Sequence, residues 1–305
     1  MNVVVKKTLK WTGALLLLCV VAGIALLLVS GAWRVFFPSS EHDEVAPVLP
    51  ATMSSPAILL FTKTNSFRHV EGIEAGARLV KSLGEKNGWS VFHTENGAVF
   101  NSDDLARFNL VMFHNSTGNM LSKKQQLAFQ QWLEAGGGWV GTHAAGDDSH
   151  QEWPWYVENL LGVKFTAHPL GPQFQVARVS NEQPTHPVMG QLPLSWEHEE
   201  EWYSWEHSPR DKGFTILASI DEGSYVPVQN LLLTKNDLRM GDHPVIWSRC
   251  LGMARVLYSA LGHQTSAYED ETHQRLLENA ISWAMDSAMC EDNTVSLSIA
   301  QEAVR

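Results

Sequence analysis

A histidine lies at the tip of a tight turn in the stretch GGGWVGTHAAGDD, residues 136–148. The glycines and other small residues around it predict a strand that ends in a sharp reversal at His143. Some α/β hydrolases carry a nucleophilic serine or cysteine at this position. An imidazole is a poor covalent nucleophile there, but it is a good metal ligand or proton carrier. The stretch therefore predicts acid–base or metal chemistry at His143.

The placement of the 13 histidines points to a shared site. Five lie at the carboxyl end of a predicted strand or in the loop after one, namely His69, His93, His114, His143 and His263. Because ligands of open α/β sheets bind outside the carboxyl ends of the strands, we expect several of these imidazoles to share one crevice. A single histidine at a strand end is more often a hydrogen-bonded structural residue, so His93 and His114 are alternatively packing residues. The main candidates are His143, His69, His263 and His168.

The acidic segment EHEEEWYSW, residues 197–205, supplies a candidate carboxylate. A glutamate held near imidazoles is suited to metal binding or to general acid–base catalysis. The first glutamates of the segment are interpreted as part of a solvated acidic loop. Glu200 and Glu201 adjoin two aromatic residues, so at least one of them is expected to face inward.

Aromatic residues follow both the tight turn and the acidic segment. Their flat faces and polar tips suit the binding of sugar rings as well as core packing. Near a crevice of His and Glu side chains, the sugar-binding interpretation gains weight. The candidate substrate-binding aromatics are Trp155, Trp202 and Tyr203.

From residue 57 onward, apolar runs of strand length alternate with helical patterns. Strands are predicted at 57–61, 90–94, 109–114 and 139–143, and helices over 70–86 and over 122–134, with Ser122 as a cap. This alternation predicts an α/β fold with a mostly parallel sheet and helices on both faces. After residue 150, short strand-like runs predict antiparallel additions to the sheet or a β-rich cap, followed by a closing helix at 268–285.

Residues 11–36 contain an apolar run, uncharged as far as Ser30, that is long enough to span a bilayer as a helix. Three lysines precede the run, so residues 1–10 are predicted to stay in the cytoplasm and the domain to lie on the periplasmic side of the inner membrane. A cleaved signal peptide is the alternative, although the run exceeds the usual ~7–15 residues of a signal core. Residues 37–56 are predicted to be a linker, residues 57–286 the domain, and residues 287–305 a tail.

The bulk composition fits a packed globular domain, with 44% hydrophobic and 18% charged residues. The formal net charge of −11 argues against a nucleic-acid partner, whose phosphates would be repelled. The three cysteines form no CxxC pair, which argues against a thiolate zinc site. Cys250 and Cys290 can form a disulfide if the domain is exported, but their spacing does not decide it. The oligomeric state is left open.

Six ordered blocks of the sequence resemble the trehalose-utilisation (ThuA-like) family: FTKTNSFRH (61–69), GGGWVGTHAA (136–145), His168-Pro169, EEWYSW (200–205), HPVIW (243–247) and ARVLYSALGH (254–263). The resemblance covers about residues 57–286. It implies a flavodoxin-like fold, similar to that of class I glutamine amidotransferases, and a link to disaccharide or keto-sugar metabolism. A histidine stands where the amidotransferase relatives carry their cysteine nucleophile, which argues against amidotransfer.

The resemblance also selects residues by position. The polar residues of its blocks are His69, His143, His168, Glu201 and His263. We expect His143, His69 and Glu201 to be catalytic. The expected ligands of a divalent metal (zinc, manganese or iron), if one is bound, are His168, His263 and His243. Lys63 and Arg68 of the first block join the three aromatics as predicted substrate-binding residues.

The favoured hypothesis is a membrane-tethered, exported enzyme that acts on a sugar or glycoside, a small-molecule substrate. His and Glu side chains would transfer protons, with or without the help of a divalent metal. A non-catalytic carbohydrate-binding module at the membrane is the alternative. A serine or cysteine hydrolase is disfavoured, because the turn holds His143 and no Gly-x-Ser-x-Gly motif occurs.

Overall fold

The computed structural model of the protein describes residues 3–231, 234–288 and 290. The helices among these residues are α1 (Val3–Val29), α2 (Trp33–Phe36), α3 (Val70–Asn87), α4 (Ser102–Leu105), α5 (Lys123–Glu134), α6 (Pro154–Tyr156), α7 (Thr265–Glu269) and α8 (Glu271–Ala284). The strands are β1 (Ala57–Phe61), β2 (Ser90–Thr94), β3 (Leu110–His114), β4 (Gly138–Thr142), β5 (Phe165–Ala167), β6 (Gln175–Asn181), β7 (Ser195–Glu200), β8 (Ser204–Trp205), β9 (Thr215–Ile220), β10 (Val228–Leu231), β11 (Thr234–Asp237), β12 (Pro244–Leu251) and β13 (Ala254–Ser259).

Nine of these strands form one mixed sheet in the order β2-β1-β3-β4-β13-β12-β9-β6-β7. The strands from β2 to β13 pair in parallel. From β13 to β7 each pair is antiparallel. The predicted α/β class is confirmed, with parallel core strands and antiparallel additions from the C-terminal half of the chain.

Helices cover both faces of the parallel strands, as predicted. Phe113 of β3 stacks on Phe129 of α5, with 5.2 Å between the ring centroids. The next residue, His114, points the other way and hydrogen-bonds the carbonyl of Gly72 in α3. Because successive residues of a strand point to opposite faces, α5 and α3 lie on opposite sides of β3. The predicted cap of α5 is also present, since Ser122 forms a capping box with Gln125.

The acidic segment forms a strand instead of the predicted loop. Along β7 the residues alternate between exposed and buried, so Glu197 and Glu199 face solvent while Glu200 is buried. A period of two is typical of a strand with one solvated face. Glu197 and Glu199 are therefore solvated as expected, because they lie on the exposed face of an edge strand.

Helix α1 runs from Val3 to Val29, so residues 3–10 of the predicted tail and most of the predicted anchor belong to one helix. Its segment Trp11–Val29 is long and apolar enough to cross a membrane, a criterion that a signal sequence near the N-terminus also meets. The helix ends at Val29, and the short α2 follows.

The predicted linker lies along the surface of the domain, and residues 38–56 are called the strap below. Leu49 of the strap is buried in the hydrophobic core. Three strap carbonyls, those of Asp43, Val45 and Pro50, accept hydrogen bonds of 2.7, 3.0 and 2.8 Å from domain side chains, which belong to Gln125, Asn96 and Arg107. The strap therefore packs against the domain and is not a flexible linker.

Cys250 of β12 and Cys290 form a disulfide, with their Cα atoms 5.7 Å apart. This settles, for the structure, the pairing that the sequence left open. It fixes residue 290 beside β12. Of the predicted tail, residues 287, 288 and 290 are described, and residues 289 and 291–305 lie outside the described residues.

Candidate functional site

A cavity of about 770 Å³ opens at the carboxyl ends of the parallel strands. Its walls come from the loops after β1, β4 and β13 and from the segments around β5 and β7. The polar residues that line it include Arg68, His69, Asp147, His168, Glu201, Tyr203 and His263. The crevice expected from strand topology is therefore present.

Three imidazoles and one carboxylate meet beside this cavity. The ring centroids of His69, His143 and His263 lie 4.7 to 4.9 Å apart, and each pair of rings is nearly perpendicular. Glu201 completes the group, because its Oε2 lies 3.1 Å from Nδ1 of His263 and 3.6 Å from Nε2 of His143. We call these four residues the His/Glu centre.

His143 is oriented by the turn that follows β4. Its φ of 46° lies in the left-handed region, which is uncommon for a residue with a side chain. Nδ1 donates a hydrogen bond of 2.9 Å to the carbonyl of Ala260 when the ring is neutral and protonated there. Nε2 then carries the lone pair, and it faces Nδ1 of His263 at 3.0 Å. The backbone carbonyl thus fixes which nitrogen points into the centre.

His263 and Glu201 are positioned by the neighbouring carboxylate of Glu200. This buried group accepts backbone N–H bonds from Gly262 at 2.6 Å, His263 at 3.3 Å and Glu201 at 2.9 Å. The turn requires glycine at position 262, where φ is 125° and a Cβ would lie 2.1 Å from the hydroxyl of Tyr268. Glu200 therefore joins the end of β7 to the loop after β13.

His69 reaches the centre because the loop after β1 crosses the end of β3. Thr64 of this loop forms an isolated parallel bridge with Thr117. His69 then occupies the N-cap position of α3 and is buried. Its Nδ1 is buried and has no hydrogen-bond partner among the residues that the structure describes.

The charges within the centre are strongly coupled. Burial would raise the pKa of the Glu201 carboxyl, but hydrogen bonds from His143 and His263 hold that pKa well below its usual range. Burial lowers the pKa of His69, and the neighbouring imidazoles lower it further. Burial also acts to lower the pKa of His143, but the carboxylates of Glu201 and Glu200 raise it above its ordinary value. The centre therefore combines one carboxylate anion with a His69 ring that is neutral at physiological pH.

This donor set fits a divalent cation. One donor atom from each of the four residues lies within 4.8 Å of the others. Donors held about 2.1 Å from a tetrahedral ion lie about 3.4 Å apart, close to the 3.0 to 3.6 Å that separate the donor atoms of His143, His263 and Glu201. The unpartnered Nδ1 of His69 is a further unused donor. Imidazole and carboxylate ligands suit zinc, manganese or iron.

Two predicted residues lie directly against the centre. The hydroxyl of Tyr203 lies 3.0 Å from Nε2 of His143. His168 places Nδ1 3.1 Å from Oε1 of Glu201 and lines the cavity. Arg68 also lines the cavity, where its guanidinium pairs with Glu95 at 2.6 Å. His168 thus contacts the carboxylate of the centre but is outside the four-donor group.

Four other predicted site residues lie outside the cavity, contrary to the prediction. Trp202 is fully buried and donates its indole N–H to the carbonyl of Gln175, so it is a core residue. Trp155 packs against Trp153 and Phe129. Lys63 pairs with Asp43 of the strap. His243 lies behind Tyr203, between the carboxylate of Glu222 and the Tyr203 carbonyl at 2.9 and 2.8 Å, so it is not placed to bind a metal at the centre.

Asp147 is a cavity residue that the sequence did not single out. It follows the tight turn, lines the cavity, and its side chain is 15% exposed. Burial raises the pKa of its carboxyl, although His150 and Ser149 act in the opposite direction. Its place in the GDD run directly after the turn was the available signal. Gln173, also missed, donates a short hydrogen bond to Oε1 of Glu201.

Comparisons with known proteins agree with this architecture. The family model described as trehalose utilisation, ThuA, matches residues 57–284. A crystal structure of a protein described as ThuA-like from Bacteroides uniformis is 29% identical, with a TM-score of 0.65, and the match covers 79% of this chain and 95% of that one. A second such protein, from Parabacteroides merdae, has 18% identity and a TM-score of 0.58, with 77% and 92% covered, and shows the fold alone. A search of curated proteins gives no match.

Proposed function

Because the chain belongs to the ThuA family of trehalose utilisation, as its sequence blocks indicate, we propose that it is an enzyme that processes a disaccharide, a related glycoside or a keto-sugar. The observation that carries the proposal is the convergence of four donor atoms within 4.8 Å at the wall of a cavity. The cavity is large enough for a sugar ligand and combines apolar walls with a few convergent polar groups.

The first candidate mechanism uses a metal. His69, His143, His263 and Glu201 would hold one divalent cation, which when bound would polarise a carbonyl or hydroxyl oxygen of the sugar. Ala260 and Glu200 keep the donor atoms oriented, as described above. Such second contacts commonly fix the tautomer and direction of metal-binding imidazoles.

Proton transfer in this mechanism falls to residues that line the cavity beside the centre. The raised pKa of Asp147 lets its carboxyl carry a proton to a higher pH than an ordinary aspartate, so it is suited to protonate a departing sugar oxygen. His168 is suited to accept a proton from a carbon next to a ring carbonyl, because its Nδ1 is held by Glu201. Tyr203 would orient the substrate from the same wall.

The second candidate mechanism is metal-free acid–base catalysis, and one observation favours it. The pKa of His143 is raised by Glu201 and Glu200 despite complete burial of the ring. In this mechanism His143, paired with Glu201 and adjacent to His69, would itself accept a proton from the substrate. The two candidates use the same nitrogen of His143, so they exclude each other.

The same proposal places the enzyme at the inner membrane, tethered by α1 with the domain outside the cytoplasm. The lysines at positions 6, 7 and 10, ahead of the apolar segment, support this orientation. The Cys250–Cys290 disulfide supports an oxidising compartment.

The test is turnover of a 3-keto-disaccharide by the full chain and two variants. Glu201→Gln removes the carboxylate of the centre and is expected to lower kcat at least about 100-fold. Glu199→Gln is the matched control, because Glu199 lies two residues away on the solvent side of β7. Equal turnover by all three chains would contradict the assignment of the centre. Sugar binding without turnover in the wild-type chain would favour the alternative of a binding module.

A further inference from the structure

The segment that follows the apolar helix, at the start of α2, forms part of the cavity wall. Ala32 and Val35 line the same cavity as His69 and Glu201. The apolar segment Trp11–Val29 has 19 residues, which at about 1.5 Å per residue nearly match the ~30 Å hydrocarbon core of a bilayer. Since a residue spans at most about 3.5 Å, Ala32 lies within about 10 Å of the end of that segment. A helix that crosses the membrane therefore brings this wall to the lipid headgroups.

The domain is also held at this place by short-range contacts. Arg34 donates a hydrogen bond of 3.5 Å to the carbonyl of Thr64, and the N–H of Ser39 donates one of 2.6 Å to Asn65. Thr64 and Asn65 belong to the loop that carries His69. Hydrogen bonds thus join α2 and the start of the strap to the loop that carries His69.

Exposed apolar side chains surround the mouth of the cavity. Val35, Val70 and Leu170 line it and are 56%, 50% and 42% exposed. Phe36 and Phe37, next in the chain to Val35, are 69% and 72% exposed. We call Val35, Val70, Leu170, Phe36 and Phe37 the rim. Exposed apolar side chains grouped beside one cavity mark an interaction surface. Trp33, the first residue of α2, is a residue type enriched at membrane interfaces.

We propose that this rim rests on the surface of the bilayer that α1 crosses, and that the site takes amphipathic glycosides presented there. The apolar aglycone would lie along Val35, Val70 and Leu170 while the sugar reaches the His/Glu centre. The lipid surface is the occupant because the rim is continuous with the membrane helix. The substrate class rests on the proposed function, whereas the position of the rim requires only that α1 is inserted.

The position of the rim is tested by fluorescence quenching on the full chain in lipid nanodiscs. A polarity-sensitive fluorophore is attached to Leu170→Cys, and to Met253→Cys as the control, each in a Cys19→Ser background. Met253 is exposed and lies near Gly136, ahead of β4 and so at the opposite end of the sheet from His143. Label on native Cys19 reports insertion of the helix.

Lipids that carry a nitroxide near the headgroup are expected to quench position 170 at least about threefold more strongly than position 253. Equal quenching at the two positions would overturn the proposal. A label at position 170 that is shielded from water but not quenched by the lipids would also overturn it, since a second protein would then cover the rim. Absence of quenching at Cys19 would overturn it as well.

The substrate class is tested with the 3-keto derivatives of methyl and octyl glucoside. The wild-type chain is expected to favour the octyl compound in kcat/KM by at least about tenfold, which burial of about two methylene groups suffices to produce. The double variant Val35→Asn, Leu170→Asn should bring the ratio close to one, while Met253→Asn should keep the wild-type ratio. A wild-type ratio near one would overturn the substrate class and leave the proposed function standing. If the wild-type chain turned over neither compound, the proposed function would be contradicted. The quenching measurement would still decide the position of the rim.

Discussion

The carboxylate of Glu200 accepts the backbone N–H of Gly262 at 2.6 Å, a contact that joins the last residue of β7 to the loop after β13. These elements lie far apart in the sheet, because β12, β9 and β6 separate β13 from β7. Glu201 follows directly on one side of the contact and His263 on the other. The spacing of the His/Glu centre therefore depends on a residue that does not belong to it.

Replacing Glu200 should disturb the centre without removing any of its members. Glu200→Gln weakens three N–H contacts to a buried anion, and hydrogen bonds to charged groups contribute about 1.5–3 kcal/mol each. We expect a lower midpoint of thermal unfolding and a lower kcat. Glu197→Gln, on the exposed face of the same strand, should leave both unchanged. Wild-type behaviour of the Glu200 variant would show that the loop after β13 holds its position unaided.

Metal content should follow the His/Glu centre, which includes His263 but not His168 or His243, the other two ligands expected from sequence. We expect protein purified without chelator to contain about one zinc, manganese or iron per chain. His263→Ala should lose most of this metal, since ligand replacement removes one of four donors. His243→Asn should retain it, because His243 binds Glu222 and the Tyr203 carbonyl. Elemental analysis checks both variants, and equal metal content in the two would refute the four-donor assignment.

Asp147 should contribute to the rate through its proton. Asp147→Asn keeps the shape of the side chain but cannot transfer a proton, so kcat should fall about 10²–10⁴-fold. Because burial raises the pKa of this carboxyl, the wild-type rate should fall as pH rises above that pKa, and the variant should lack this alkaline limb. Asp103→Asn, on the exposed side of α4, is the control. An unchanged pH profile would assign the proton to another group.

His114 should make the fold sensitive to acid. Burial lowers its pKa from 6.5 to about 4, so below pH 6.5 the unfolded chain binds a proton that the folded chain does not. Stability is therefore lost as the pH falls from about 6.5 towards 4, and between pH 7.5 and 5 this one group accounts for about 2 kcal/mol. His114→Gln should reduce the difference between the unfolding free energies measured in urea at these two pH values. A difference as large as that of the wild-type chain would contradict the prediction.

The parallel half of the fold was predictable because its signals are local. Short apolar runs and the serine cap of α5 each specify an element within a few residues. In a parallel sheet the carboxyl ends of the strands share one edge, and for this reason the sequence predicts that His69, His143 and His263 lie close together, as they do. These residues are separated in sequence, but their strands end at the same edge of the sheet.

The antiparallel half was less predictable because its contacts are set by long-range pairing. Nothing in the run EHEEEWYSW shows that β7 is an edge strand or that the chain then returns to the centre. Trp202 and Tyr203 are adjacent aromatic residues, yet Trp202 faces the core while Tyr203 lies against His143. Which of two neighbouring aromatics faces a cavity depends on register, and a register shift of one residue reverses the choice.

The strap has a practical consequence for where the folded unit begins. The family match starts at residue 57, but a chain cut at that boundary would deprive Lys63 of its carboxylate partner and leave Gln125 without its acceptor on Asp43. It would also uncover the core surface beneath Leu49. A version of the domain without the apolar helix should therefore start near Ser39, upstream of what homology alone would suggest.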